Sequence, residues 1–151
     1  MNKILLVEDD EDKREQILSF IKNKFKINVD EARSYTSAIN AIRKLKYDLI
    51  LLDMTMPTFD ITASESGGRA QAFAGELILD EMKRKNIISQ VIVVTQFDLF
   101  GEGHEEISLF ELDNKLKKSY EKIYLGAVQY SISYTSWQET LEDKINLSKL
   151  R

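Results

Sequence analysis

The chain has 151 residues, 43% hydrophobic and 30% charged, a balance typical of one folded globular domain. Its net charge of −4 argues against a broad nucleic-acid-binding surface, because such surfaces are usually basic. With no cysteine and one histidine, the chain has no disulfides, thiolate metal sites or histidine-rich zinc sites. We find neither a signal-peptide pattern nor an apolar run long enough for a membrane span, and therefore expect a cytoplasmic protein.

Apolar runs alternate with amphipathic segments along the chain, which predicts strands alternating with helices. The predicted strands are at 3–7, at 27–29, in a run ending at Asp53, at 91–95 and at 127–132. The predicted helices between and after them are at 12–25, 37–45, 76–85 and 105–119, with a last helix opened by a capping box at 136–139. In the helix at 76–85 we expect Leu77, Ile78 and Met82 to face inward. This order predicts an α/β protein: a three-layer α/β/α sandwich around a five-stranded parallel sheet.

Two of the predicted strands end in carboxylates. The first is followed by Glu8 and Asp9, and the third ends at Asp53, with Pro57 four residues later. The carboxyl ends of parallel strands meet at one edge of an open α/β sheet, where such folds bind their ligands. Clustered carboxylate oxygens are ligands for hard cations such as Mg²⁺. The sequence therefore predicts a cation site at this edge.

Two segments are long for this architecture. Residues 58–74 form a predicted loop, and unstructured loops beyond about 12–15 residues are uncommon and usually functional or disordered. Because this loop starts just after Asp53, it is placed to cover the site. Residues 96–126 are the second long segment. We expect both to be insertions within a single domain spanning residues 1–151.

Several stretches, in this order and spacing, resemble the receiver domain of two-component response regulators. They are KILLVEDDEDKRE, VDEARSYTSAINAI, YDLILLDMTMP, VIVVT and GAVQY. The resemblance covers nearly the whole chain apart from the two long segments. It implies the flavodoxin-like receiver fold, with strand order 2-1-3-4-5.

The resemblance also implies a phosphoryl-accepting site. Asp53 matches the phospho-accepting aspartate, while Glu8 and Asp9 match the acidic pair that holds Mg²⁺. The backbone carbonyl of Thr55 would complete the protein ligands. Such chemistry needs a cation because a carboxylate and a phosphate are both anions, and Mg²⁺ between them neutralises the developing charge.

The residues by which receivers sense phosphorylation match only in part. Thr95 matches the switch hydroxyl, and Tyr130 matches the aromatic residue whose rotamer follows it. Ser133 stands where receivers carry a lysine late on the fifth strand, and Tyr134 replaces the proline beside it. A serine hydroxyl brings no charge to the phosphoryl group. Gln96 follows the switch threonine, where receivers have a small residue, and its bulk is expected to narrow access to Asp53.

Arg69 is one candidate for the missing positive charge. It follows Gly67 and Gly68 in the long loop that starts beside Asp53. Glycines allow a close backbone approach, and a guanidinium binds phosphate through two hydrogen bonds. We therefore hypothesise that Arg69 contacts the phosphoryl group.

The resemblance implies a stand-alone response regulator acting in phosphorelay signal transduction. Its expected partners are a histidine kinase or phosphotransfer protein and an unknown output protein. In this family the face formed by helix 4, strand 5 and helix 5 is the usual surface for output contacts, including homodimerisation. We expect neither a nucleic acid nor a membrane as a partner.

Two alternatives fit parts of the sequence. A phosphorylation-independent pseudo-receiver adaptor, which only binds a partner protein, is favoured by Ser133, Tyr134 and Gln96 and disfavoured by the intact acidic residues. A Mg²⁺-dependent phosphohydrolase of the haloacid-dehalogenase type needs a second acid two residues after its nucleophile, where this chain has Thr55. We therefore do not expect a turnover enzyme.

Overall fold

A five-stranded parallel sheet forms the centre of the computed structural model, which describes residues 3–60 and 70–148. The spatial order of its strands is β2-β1-β3-β4-β5, which confirms the predicted α/β fold and strand order. The strands are β1 (Ile4–Val7), β2 (Val29–Ala32), β3 (Leu49–Leu52), β4 (Gln90–Thr95) and β5 (Tyr124–Gln129).

Helices cover both faces of the sheet. Residues of α2, α3 and α4 pack with one set of strand side chains, and residues of α1 and α5 pack with the other set. No helix in the described part of the chain is both long enough and apolar enough to cross a membrane. The helices are α1 (Glu11–Phe25), α2 (Tyr35–Lys44), α3 (Ala74–Arg84), α4 (Leu109–Ser119) and α5 (Ser136–Leu147).

Side chains of the central strands alternate between the two helical layers. In β1, Leu5 and Val7 belong to the core under α2, α3 and α4, whereas Ile4 and Leu6 belong to the core under α1 and α5. All four side chains are buried, as expected for a parallel sheet that is covered on both faces. The apolar runs in the sequence reflect this two-sided burial.

The long segments carry two small antiparallel pairs of strands. Met56–Pro57 pairs with Ala70–Gln71, and Leu99–Phe100 pairs with Ile107–Ser108. The first pair joins the two described ends of the loop that follows β3. Both pairs were missed in the sequence because two-residue strands carry no periodic signal.

Two predicted strands lie at shifted positions. β2 was predicted at 27–29 from its apolar residues, but pairing with β1 places it at Val29–Ala32. β5 was predicted at 127–132, but it begins at Tyr124 and continues through Gly126. Gly126 has φ +145°, and a Cβ there would lie 2.8 Å from Lys144 Nζ. A glycine in a strand interior weakens the strand pattern, which is why the start of β5 was missed.

The helix starts also differ from the prediction, by one or two residues in α1, α2 and α3 and more clearly in the way α4 and α5 begin. α4 begins at Leu109 rather than at 105, after a capping box in which Ser108 and Glu111 bond each other's backbone N–H groups. The predicted capping box at 136–139 is wrong, because Ser136 is already helical and the N-cap, Thr135, makes no side-chain cap.

The orientation of α3 corrects one core prediction. Ile78 and Met82 are fully buried as expected, but Leu77 is 47% exposed. Apart from Glu81, the buried residues of α3 follow the spacing 74, 75, 78, 79 and 82, and Leu77 lies beside this stripe rather than on it.

Adjacent residues of α3 provide a test of this orientation. We expect Ile78→Ala to lower the free energy of unfolding by about 2–5 kcal/mol, because it empties a fully buried position. Leu77→Ala is the matched control and is expected to cost less than about 1 kcal/mol. Urea denaturation of both variants measures the difference, and equal losses would contradict the orientation.

Candidate functional site

Three carboxylates meet at the carboxyl edge of the sheet. Val7 lies opposite Leu52 in the pairing of β1 with β3, so Glu8 and Asp53 leave the sheet side by side. Glu8, Asp9 and Asp53 each offer a carboxylate oxygen, and these oxygens all lie within 4.8 Å of one another. Glu8 and Asp53 are buried, whereas Asp9 is exposed and gives the cluster an open side. The acidic site predicted from the sequence is therefore assembled by the strand register.

The turn after β3 is held tightly around Asp53. The Met54 N–H donates to Asp53 Oδ1 at 2.7 Å, and the Gly75 N–H donates to the Met54 carbonyl at 3.0 Å. A Cβ on Gly75 would lie 2.7 Å from the Asp53 carbonyl oxygen, closer than real Cβ atoms approach. Gly75 therefore allows α3 to pack directly on the backbone of this turn.

The turn between β1 and α1 is ordered by its own polar side chains. Asp10 is the N-cap of α1, and its Oδ1 accepts the Lys13 N–H at 3.0 Å. Glu8 Oε2 accepts the Asp10 N–H at 3.1 Å. The buried Arg14 donates to the Glu8 carbonyl at 3.3 Å and pairs through Nε with Glu31 at 3.1 Å. These contacts fix the direction in which the first turn of α1 leaves the site.

A buried lysine lies at the centre of the acidic cluster. Lys13 Nζ is 2.6 Å from Glu8 Oε1 and 3.2 Å from Asp53 Oδ2. It also donates to the Val94 carbonyl at 2.9 Å and to Gln96 Oε1 at 2.8 Å. The side chain of Lys13 is only 2% exposed. The ammonium therefore joins the carboxylates of β1 and β3 to the end of β4.

Sequence reasoning missed Lys13, although a signal was present. Lys13 lies four residues before Ile17 and eight before Ile21, which places it on the buried stripe of α1. Helical side chains tilt toward the N-terminus, so a lysine in the first turn of α1 reaches back to the sheet edge. A lysine is almost never fully buried unless it is paired, and here two acids lie within its reach.

Negative charge accumulates in this cluster. Burial and the charge of Asp53 raise the pKa of Glu8, while the Lys13 ammonium opposes the shift. Desolvation and Asp53 also raise the pKa of Asp9. One lysine thus offsets only part of the repulsion among three carboxylates, and an additional cation would be favourable there.

The ends of β4 and β5 border the site. Thr95 is fully buried, and its hydroxyl oxygen accepts the Phe97 N–H at 3.3 Å. The Tyr130 N–H donates to the Thr95 carbonyl at 2.8 Å. The Tyr130 ring centroid lies 5.8 Å from Lys13 Nζ and 5.1 Å from the centroid of the Trp137 ring. Both predicted switch residues are therefore linked to the Lys13 side of the site.

Of the other predicted site residues, two make side-chain or backbone hydrogen bonds outside the acidic cluster, and one lies outside the described residues. Thr55 is partly buried and its hydroxyl donates to the Ala72 carbonyl at 3.3 Å. Ser133 is exposed, and its backbone N–H donates to Ser131 Oγ at 3.2 Å. The proposed phosphate contact Arg69 lies outside the described residues.

Comparison with known proteins places this arrangement in a family. A family model described as the response regulator receiver domain matches residues 4–107. The Detocs response regulatory protein DtcB of Enterobacter cloacae is 31% identical, covering 95% of this chain and 97% of that protein. The protein y4jR of Sinorhizobium fredii is 30% identical, covering 93% and 95% of the two chains.

A solved structure shares the fold. The response regulator TrrA of Thermotoga maritima, determined in complex with Mg²⁺ and BeF, superposes with a TM-score of 0.61 at 18% identity, over 95% of this chain and 99% of that one. The acidic sheet edge, the strand order and the family match agree, and the chain belongs to the response regulator receiver domain family.

Proposed function

We propose that this receiver accepts a phosphoryl group on Asp53 and passes the signal on through protein contacts. The observation that carries the proposal is the convergence of Glu8, Asp9 and Asp53 at one sheet edge, in a family of signalling modules. An oxygen of Asp53 forms a bond to phosphorus as the bond between phosphorus and the donor atom breaks. The leaving group, for example the imidazole of a phosphohistidine, keeps the electron pair.

The donor set fits Mg²⁺. Glu8, Asp9 and Asp53 supply only hard oxygen atoms, and the exposed Asp9 leaves the cluster accessible from solvent. The backbone carbonyl of Thr55 would be a fourth protein ligand. When bound, Mg²⁺ neutralises charge on the carboxylates and the incoming phosphate. The relative TrrA, which was solved with Mg²⁺ and BeF, supports this assignment by its fold.

Transmission of the signal is assigned to the ends of β4 and β5. We propose that the Thr95 hydroxyl moves toward the phosphoryl group and that Tyr130, bonded to the Thr95 carbonyl, responds. Large apolar side chains are exposed on α4 and between β5 and α5, including Phe110, Ile132 and Tyr134. They support an output contact at the face formed by α4, β5 and α5, with a partner protein or a second copy of the chain.

The family's phosphoryl donors define the upstream partner. A histidine kinase or phosphotransfer protein presents a phosphohistidine to the exposed, Asp9 side of the cluster. If Asp53 takes no phosphoryl group, the remaining candidate is the adaptor that binds its partner without phosphorylation. Phosphoryl transfer to Asp53 separates these two functions.

Magnesium binding is tested by thermal unfolding. We expect Mg²⁺ to raise the melting temperature of the wild-type protein, since a ligand that binds the folded state stabilises it. Asp9→Asn should raise the Mg²⁺ concentration needed for half the effect by roughly tenfold, equivalent to about 1.4 kcal/mol. Asp12→Asn, an exposed acid of the same turn outside the cluster, is the control. The metal site would be contradicted if Mg²⁺ did not raise the melting temperature of the wild-type protein. It would also be contradicted if Asp9→Asn needed no more Mg²⁺ than the wild type for half the effect.

Phosphoryl transfer is tested with a small donor. We expect acetyl phosphate and Mg²⁺ to add the mass of one phosphoryl group to the wild-type protein and to Asp12→Asn, as seen by intact mass spectrometry. Asp53→Asn should show no addition, because its amide oxygen cannot replace the carboxylate nucleophile. An unmodified wild-type protein would favour the adaptor, and a modified Asp53→Asn would place the acceptor elsewhere.

A further inference from the structure

We propose that Lys13 on α1 is the lysine that contacts the phosphoryl group, in place of the lysine absent from the fifth strand. The proposal rests on Asp53 being the phosphoryl acceptor. At the position that matches this lysine, four residues after the end of β5, the chain has Ser133, which is exposed and uncharged. The positive charge at the site is supplied instead by Lys13 on α1, which pairs with Glu8 and Asp53.

The position of the ammonium supports this exchange. Lys13 Nζ contacts the Val94 carbonyl in β4 and lies 5.8 Å from the ring of Tyr130, the residue that follows β5. A lysine late on β5 would reach Asp53 from this same side. Lys13 forms ion pairs with Glu8 and Asp53, while Asp9 is not among the carboxylates within 4.0 Å of Nζ in the described residues. The Asp9 side is thus left for a metal ion.

The hydrogen bonds of Lys13 leave Asp53 as its loosest partner. An ammonium has three N–H donors. Its three shortest contacts are to Glu8 at 2.6 Å, Gln96 at 2.8 Å and Val94 at 2.9 Å, and the contact to Asp53 is the longest at 3.2 Å. A phosphoryl group on Asp53 carries more negative charge and extends beyond the carboxylate oxygen. Lys13 then exchanges a weaker contact for a charge-assisted hydrogen bond to a phosphoryl oxygen.

Gln96 acquires a role in this arrangement. Its side-chain carbonyl accepts from Lys13 Nζ at 2.8 Å, so the large residue after Thr95 holds the lysine head beside Asp53. A small residue at this position would leave that N–H without its present acceptor. The two differences from the usual receiver pattern, a large residue at 96 and no lysine at 133, therefore have one explanation. Lys13 on α1 supplies the ammonium, and Gln96 positions it.

Other nearby cations are less suited to this task. Arg14 is buried, but its guanidinium is committed to Glu31 and to the carbonyls of Glu8 and Asp9. Among residues 3–60 and 70–148, Lys13 is the cation paired with both Glu8 and Asp53. Its charge is shielded from water, so its attraction to a phosphoryl group is stronger than that of a surface lysine.

The test measures Mg²⁺ and beryllofluoride binding separately by isothermal titration calorimetry. We expect Lys13→Met to weaken beryllofluoride binding by roughly 10- to 100-fold, the range for one hydrogen bond to a charged group. Mg²⁺ binding should be retained, which a merely unfolded or distorted site would not allow. Lys22→Met, an exposed lysine of the same helix, is the matched control and should behave as wild type.

A second measurement applies to the wild-type protein, in case Lys13→Met does not fold. With ¹⁵N-labelled lysine, the Lys13 ammonium resonance, assigned by its loss in Lys13→Arg, should shift when beryllofluoride and Mg²⁺ are added. Unchanged Lys13 resonance at saturation would overturn the proposal. If Lys13→Met bound beryllofluoride with wild-type affinity while Asp53→Asn bound none, the role of Lys13 would also be overturned. Asp53 would remain the acceptor. Beryllofluoride binding absent from the wild type would overturn both proposals.

Discussion

The buried contact between the Lys13 ammonium and the carboxylates of Glu8 and Asp53 constrains everything around this sheet edge. The three side chains are at most 2% exposed. A buried charge without a partner costs several kcal/mol, so each of these groups requires the others. The α1 cap at Asp10 and the side chain of Gln96 place the ammonium where it serves both acids. The site is thus a charge network spanning β1, β3, β4 and α1.

The same network explains why an intact acidic cluster tolerates the loss of the strand lysine. Under this proposal, Lys13 of α1 supplies the positive charge that the family resemblance would place at the position of Ser133. Under the proposed mechanism the mechanical connection also differs, because Lys13 contacts Val94 and Gln96 and would report phosphorylation to them rather than directly to β5. Thr95 lies between these two residues, so the proposed switch hydroxyl remains next to the reporting contact. In this arrangement the link to β5 runs through the Thr95 carbonyl and Tyr130.

The fold was largely predictable because strands buried on both faces leave continuous apolar runs, and β1 and β3 could be recognised in this way. Boundaries failed where tertiary pairing overrides local pattern, as in β2, or where a glycine interrupts the pattern, as in β5. The acids of the site were predictable because they end the strands. Lys13 was missed because a lysine inside a charged stretch reads as solvated surface, although its spacing from Ile17 and Ile21 places it on the buried stripe of α1.

A crystal structure of the protein with Mg²⁺ and beryllofluoride tests the central claim most directly. We predict that beryllium is bonded to an oxygen of Asp53, that the metal lies on the Asp9 side, and that Lys13 Nζ lies within hydrogen-bond distance of a fluoride. The role assigned to Lys13 would be contradicted if its ammonium contacted only Glu8, Val94 and Gln96 while another cation contacted the fluorides. Beryllofluoride absent from Asp53 under saturating conditions would contradict the phosphoryl-accepting function itself.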